Sequence, residues 1–125
     1  MTVKRFEDIQ VWKDARILAN EIYKMTLAVP SSSAKGLVSQ IRNASVSIMS
    51  NIAEGYERDS TLELIRFLKI SKGSAGEVRS LLYLFNDLEF LSSEDFNKLN
   101  ENSIQIINQI SNFIKYLKSY KISNK

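Results

Sequence analysis

The sequence predicts an all-α fold, an antiparallel up-down-up-down four-helix bundle, on three observations. Glycine and proline are scarce, four and one in 125 residues, too few for the tight turns of a sandwich or barrel. Apolar residues recur every three or four positions in each of four segments, and no stretch alternates at period two for long enough to make a strand. The breaks between segments are short, which forces successive helices to run antiparallel. A chain of this length is one domain, 1–125.

In the first segment Ile9, Trp12, Ala15, Ala19, Ile22, Tyr23 and Thr26 form the apolar stripe. A second row, Val11, Leu18 and Met25, runs beside it and widens the arc to about twice the ~100° that a bundle helix needs. Scattered surface residues are one account of that row; contact with another subunit is the preferred one, which makes Val11, Leu18 and Met25 interface candidates. Val29-Pro30-Ser31-Ser32-Ser33 then breaks the helix.

The second segment buries Leu37, Ile41, Ala44, Ile48 and Ile52, and carries Ser39, Asn43, Ser47, Ser50 and Asn51 on another face. Its end falls near Gly55, placed like a helix C′ residue. Ser60-x-x-Glu63 opens the third segment as a capping box, ahead of Phe67, Val78, Leu81, Leu82 and Phe85. Phe90-Leu91-Ser92-Ser93 is the last break, and Glu94 and Asp95 after it suit the positive end of a helix. Phe96, Leu99, Ile106, Ile107, Ile110, Phe113, Ile114 and Leu117 mark the fourth.

Zero Cys and zero His remove the thiol nucleophile, the imidazole base, the disulfide and the usual zinc site. The carboxylates near the second break have neither EF-hand nor diiron spacing. Lys72-Gly73-Ser74 lacks the upstream glycine of a phosphate loop and lies inside a helix. The chain is therefore expected to have no cofactor and no enzymatic activity. No apolar run approaches the ~18 residues of a membrane span, and the polar start Met1-Thr2-Val3-Lys4-Arg5 is no signal peptide, so a cytoplasmic protein is expected.

Charge offers two features. Glu63 projects toward the core side of its helix, and Arg42, Glu54 and Arg58 are expected to join it in a structural ion-pair cluster. Lys69, Lys72 and Arg79 share a face of the third helix with Arg66 beside them, and Lys115, Lys118, Lys121 and Lys125 make the tail basic. A solvated face and a phosphate-binding face both fit, the latter naming Arg66, Lys69, Lys72, Arg79, Lys115 and Lys118. No surface aromatics interleave with them, which argues against base stacking.

The run Phe6-Glu7-Asp8-Ile9-x-Val11-Trp12-x-x-Ala15 is followed by Gly36-Leu37-x-Ser39-Gln40-Ile41-Arg42, Ala44-Ser45-Val46-Ser47-Ile48 and Ser50-Asn51-Ile52-Ala53-Glu54-Gly55-x-x-Arg58. With Ser60, Glu63, Phe67-Leu68-x-Ile70, Gly73-Ser74 and Glu77, it resembles the four-helix-bundle proteins encoded in intervening sequences of 23S ribosomal RNA genes. That family also contains the accessory variability determinant protein of diversity-generating retroelements. The resemblance spans nearly the whole chain, the fourth helix matching by hydrophobic pattern alone.

It implies a homo-oligomeric ring, typically of five subunits, without enzymatic activity, and RNA or a reverse-transcriptase ribonucleoprotein as partner. Asn43, Ser47 and Asn51 would then serve close, hydrogen-bonded packing between subunits. Three departures stand out: Asn43 where the family commonly has a second Arg, Met49 where it commonly has Pro, and a Ser-rich loop after Pro30. The expected function is a non-enzymatic oligomer that associates with RNA through basic residues. A protein-interaction scaffold with no nucleic-acid contact is the alternative.

Overall fold

The four periodic segments become α1 (Gln10–Thr26), α2 (Ser31–Glu57), α3 (Thr61–Asp87) and α4 (Ser93–Ser123), preceded by a 3-10 turn at Phe6–Asp8. The computed structural model describes residues 3–123, and their side chains except at positions 31, 33 and 121–123. Among the described residues there is no strand. Each helix packs on two others in a square, α1 on α2, α2 on α3, α3 on α4 and α4 back on α1.

Pairwise contacts fix the directions. Between α2 and α3, Gln40 meets Glu77, Ser47 meets Ser74 and Ser71 reaches the carbonyl of Ile48, so one numbering falls as the other rises. Arg79 meets Asn100 and Tyr83 meets Phe96 across α3 and α4 in the same sense. Gln109 donates to Asp14, and Lys98 lies 4.0 Å from Glu21, which makes α1 and α4 antiparallel too. With three pairs antiparallel the fourth must be, and the bundle is up-down-up-down.

Ala15, Ile22, Ile41, Ile48, Ile52, Leu68, Val78, Leu82, Phe85, Ile106 and Ile110 are buried on the bundle axis. Each large side chain so placed contributes about 1.5–3 kcal/mol of transfer free energy. The buried hydroxyls are satisfied: Ser45 and Ser103 donate to carbonyls of their own helices and Ser71 to Ile48 of α2, at 2.8–2.9 Å. Among the described residues no buried side-chain nitrogen or oxygen lacks a partner.

The wide face of α1 has a different meaning from the one its pattern suggests. Val11 is 4% exposed and Leu18 1%, both inside the core of the single chain, and Met25 is half-buried against that core. A row spaced by seven drifts only about 20° per heptad, so it lies beside Ala15 and Ile22 within one arc. Asp14 and Glu21, which bind α4, border the same edge. Val11 and Leu18 share recesses with Phe113 and Ile106 of α4, so the expectation that these two face a second subunit is corrected, while Met25 keeps an exposed part.

Two breaks also differ. α2 starts at Ser31, directly after Pro30, and kinks at Ala34, whose backbone is non-helical (φ −133°, ψ 18°). Pro30 suits a helix entrance because its missing N–H would be unpaired there. Gly55 is no C′ residue: it lies inside α2, and the left-handed conformation falls on Asp59 (φ 55°). Its role is close approach. A Cβ at position 55 would lie 2.6 Å from Phe67 Cβ and 3.3 Å from Leu64 Cδ1, so only glycine lets α2 and α3 touch here.

Gly55→Ala is therefore expected to lower stability in urea unfolding by about 1–3 kcal/mol through overpacking, despite the better helix propensity of alanine. Gly76 is the control, since a Cβ there meets nothing within 4 Å. Gly76→Ala is expected to raise the stability of the chain by about 0.5–1 kcal/mol.

Candidate nucleic-acid interface

The charged residues sort into a compensated group and a free one. At the α2–α3 turn Ser60 caps α3, its hydroxyl accepting from the Glu63 N–H at 3.3 Å. The return arm of a capping box is replaced by an ion pair: Arg66 donates from Nε and Nη2 to both Glu63 carboxylate oxygens, at 2.9 and 3.2 Å. Arg58 bridges Glu54 at 3.3 Å and Glu63 at 3.9 Å. Both guanidinium groups lie over the Phe67 ring, 5.0 and 4.6 Å from its centroid.

Three of the four expected cluster members thus meet. Arg42 does not; it sits at the α1–α2 seam with Tyr23 and Thr26. The side chain of Glu63 is 36% exposed rather than core-facing, because Arg66 draws it outward along the helix surface. Arg66, expected among the phosphate-binding residues, has its charge matched by Glu63. Arg79 is half-buried, with Nε donating to Asn100 Oδ1 at 3.0 Å.

Lys69, Lys72, Lys115 and Lys118 are exposed, and among the described residues none of them forms an ion pair. Lys125 and the side chain of Lys121 lie outside the described residues. At about 100° per residue Lys72 lies within roughly 20° of Arg79, on the flank that Arg79 turns toward α4. Lys118 follows Asn100 by about five full turns, hence on the edge of α4 facing α3. The α3–α4 seam is thus lined with cations from both sides.

The polar face of α2 is used within the chain. Ser47 and Ser74 share a hydrogen bond of 2.8 Å, and Asn51 donates to the Ser47 carbonyl and hydroxyl at 2.8 and 2.9 Å. Ser47 and Asn51 therefore secure α2 to α3 and to itself while remaining half-buried, and Asn43 is exposed. Among the described residues no group of three or more His, Cys, Asp or Glu could hold a metal ion. No described helix is long and apolar enough to cross a membrane.

The fold and this surface define an all-α four-helix bundle with an exposed cationic flank. Residues 7–112 match the family described as 23S rRNA-intervening sequence protein, and the chain belongs to that family. It is similar to a crystal structure of a protein with unknown function, from the S23 ribosomal protein family of Bacteroides thetaiotaomicron. The two share 25% identity with a TM-score of 0.79, over 86% of this chain and 97% of the other. No curated protein matches the chain.

The hydrogen bond from Arg66, reinforced by its charge and that of Arg58, holds the Glu63 carboxyl below its ordinary value of 4.5. A carboxyl depressed in the folded state stabilises it above the unfolded value and loses that contribution as pH falls through the folded one. Glu63→Gln is expected to melt at slightly lower temperature than the wild type at neutral pH. The two melting temperatures converge in acid, below the ordinary glutamate range, as circular dichroism melts across pH would show.

Proposed function

We propose that the protein is a non-enzymatic helical assembly that contacts the phosphate backbone of RNA along its α3–α4 flank. The observation that carries this reading is the set Lys69, Lys72, Lys115 and Lys118, exposed and without ion-pair partners among the described residues. Lysines that hold no carboxylate release counterions from RNA at no cost in broken ion pairs. Arg66 and Arg79, tied to Glu63 and Asn100, serve structure first. Backbone contact of this kind is sequence-independent, and it fits an RNA ribonucleoprotein better than a defined RNA motif.

Self-association multiplies such a weak strip into a strong field. The outer face of α3 supports it: Leu62 is 60% exposed, and Ile70, Leu84 and Leu88 are exposed there too. A homo-oligomer joined there would repeat the lysine flank once per subunit, and a ring of five is the assembly the family resemblance implies. A protein partner on that α3 face is the second reading, favoured by the same exposed leucines. Salt separates the readings, because apolar contacts respond little to it.

Fluorescence anisotropy with a labelled single-stranded RNA is expected to give log affinity falling linearly with log salt. Four contacts at about 0.7 each give a slope near −3. Replacing Lys69, Lys72, Lys115 and Lys118 together with Gln should abolish most of that slope and leave the helical spectrum intact; unchanged affinity and slope would overturn the assignment. Light scattering is expected to read a multiple of 14.3 kDa that Leu84→Glu returns to one chain. A wild-type monomer would remove the assembly from the proposal.

A further inference from the structure

Arg42 is half-buried, and the chain holds its guanidinium in place without an ion pair among the described residues. Its Nε donates to Thr26 Oγ1 at 2.7 Å, and its plane stacks on Tyr23 with the guanidinium carbon 4.6 Å from the ring centroid. Thr26 is itself buried, its hydroxyl directed to the carbonyls of Ile22 and Tyr23, so its free lone pair receives the arginine. Among the described residues Arg42 forms no ion pair. The N–H groups on its two terminal nitrogens remain for another acceptor.

Those groups border a recess of about 540 Å³ between the end of α1 and the first turns of α2. Lys35, Ser39, Arg42 and Asn43 line it from α2, and Tyr23 and Thr26 from α1. Positions 35, 39, 42 and 43 lie on one helical face, so four donors converge. No carboxylate lines this recess. A recess at the opposite end is lined by Glu57 and Asp59 as well as Lys4 and offers no such field.

We propose that this recess binds a phosphate group, with Arg42 as the fixed fork and Lys35 as the second cation. A guanidinium already locked by one hydrogen bond and one ring loses little freedom on binding, and its remaining pair of N–H groups matches two phosphate oxygens. Two cations with a hydroxyl and an amide suit a phosphate of up to two negative charges better than a single carboxylate. The site lies on the α1–α2 side, away from the α3–α4 flank, and it stands whether or not that flank meets RNA.

The test is a ¹H–¹⁵N NMR titration of the full chain with sodium phosphate at constant ionic strength, with acetate as the competing anion. Saturable shifts at the Ser39 and Asn43 amides and at Arg42 Nε are expected. Arg42→Lys should weaken them at least about fivefold, since an ammonium cannot bond Thr26 and fork a phosphate together. Lys35→Gln, at an exposed position where folding is safe, should weaken them about two- to fivefold. The quadruple lysine variant of the α3–α4 flank should bind phosphate unchanged.

A short single-stranded RNA that shifts the same signals at lower concentration than phosphate assigns the site to backbone phosphates. Phosphate binding without that gain assigns it to a free phosphate or phosphomonoester. Absence of saturation, equal response to acetate, or affinity indifferent to both Arg42→Lys and Lys35→Gln would overturn the proposal.

Discussion

The contact of α2 with α3 at Gly55 governs much of what this bundle presents to its surroundings. With no side chain at position 55, Phe67 comes against the α2 backbone, and Leu64 beside it. That approach seats the α3 N-terminus under its Ser60 cap and places the Phe67 ring between Arg58 and Arg66. From there the antiparallel register follows in steps of about one turn of α3: Ser71 reaches Ile48, Ser74 meets Ser47, and Glu77 meets Gln40. A shift of this register would break buried hydroxyl bonds, which cost more to leave unmade than they contribute when made.

Once α3 is seated, its outward side is determined, and with it the distribution of charge. Carboxylates at the α2–α3 turn lie within reach of Arg58 and Arg66 and neutralise them. Exposed pairs of this kind contribute little to stability, but they remove cations from the surface field. Lys69 and Lys72 lie beyond that reach, as Lys115 and Lys118 do on α4. The mild net charge of +3 is therefore unevenly spread, concentrated along one seam and around the isolated Arg42. Family membership gives the fold a lineage without assigning it a task, so the chemistry of these two regions carries the functional reading.

Apolar periodicity, the position of Ser60 and the scarcity of Gly and Pro determined the four helices, their order and most of the core. These features are local: a 3.6-residue repeat or a cap is legible within one or two turns of chain. The motif runs that resemble the family were likewise contiguous, and the family match over residues 7–112 bears them out.

What tertiary structure alone decided is which of two surfaces each side chain meets. The Val11, Leu18 and Met25 row and the Ser47 and Asn51 face both read as surfaces in want of a partner. Val11 and Leu18 proved to lie in the chain's own core, and Ser47 bonds Ser74 of α3. Gly55 looked like a helix end, because close approach and a left-handed cap leave the same residue in the sequence. Arg42 left the expected ion cluster because its hydrogen-bond partner, Thr26, lies on another helix. Periodicity reports that a residue is buried or polar; only the packing of whole helices chooses the neighbour, since contacts between distant segments leave no mark on local spacing.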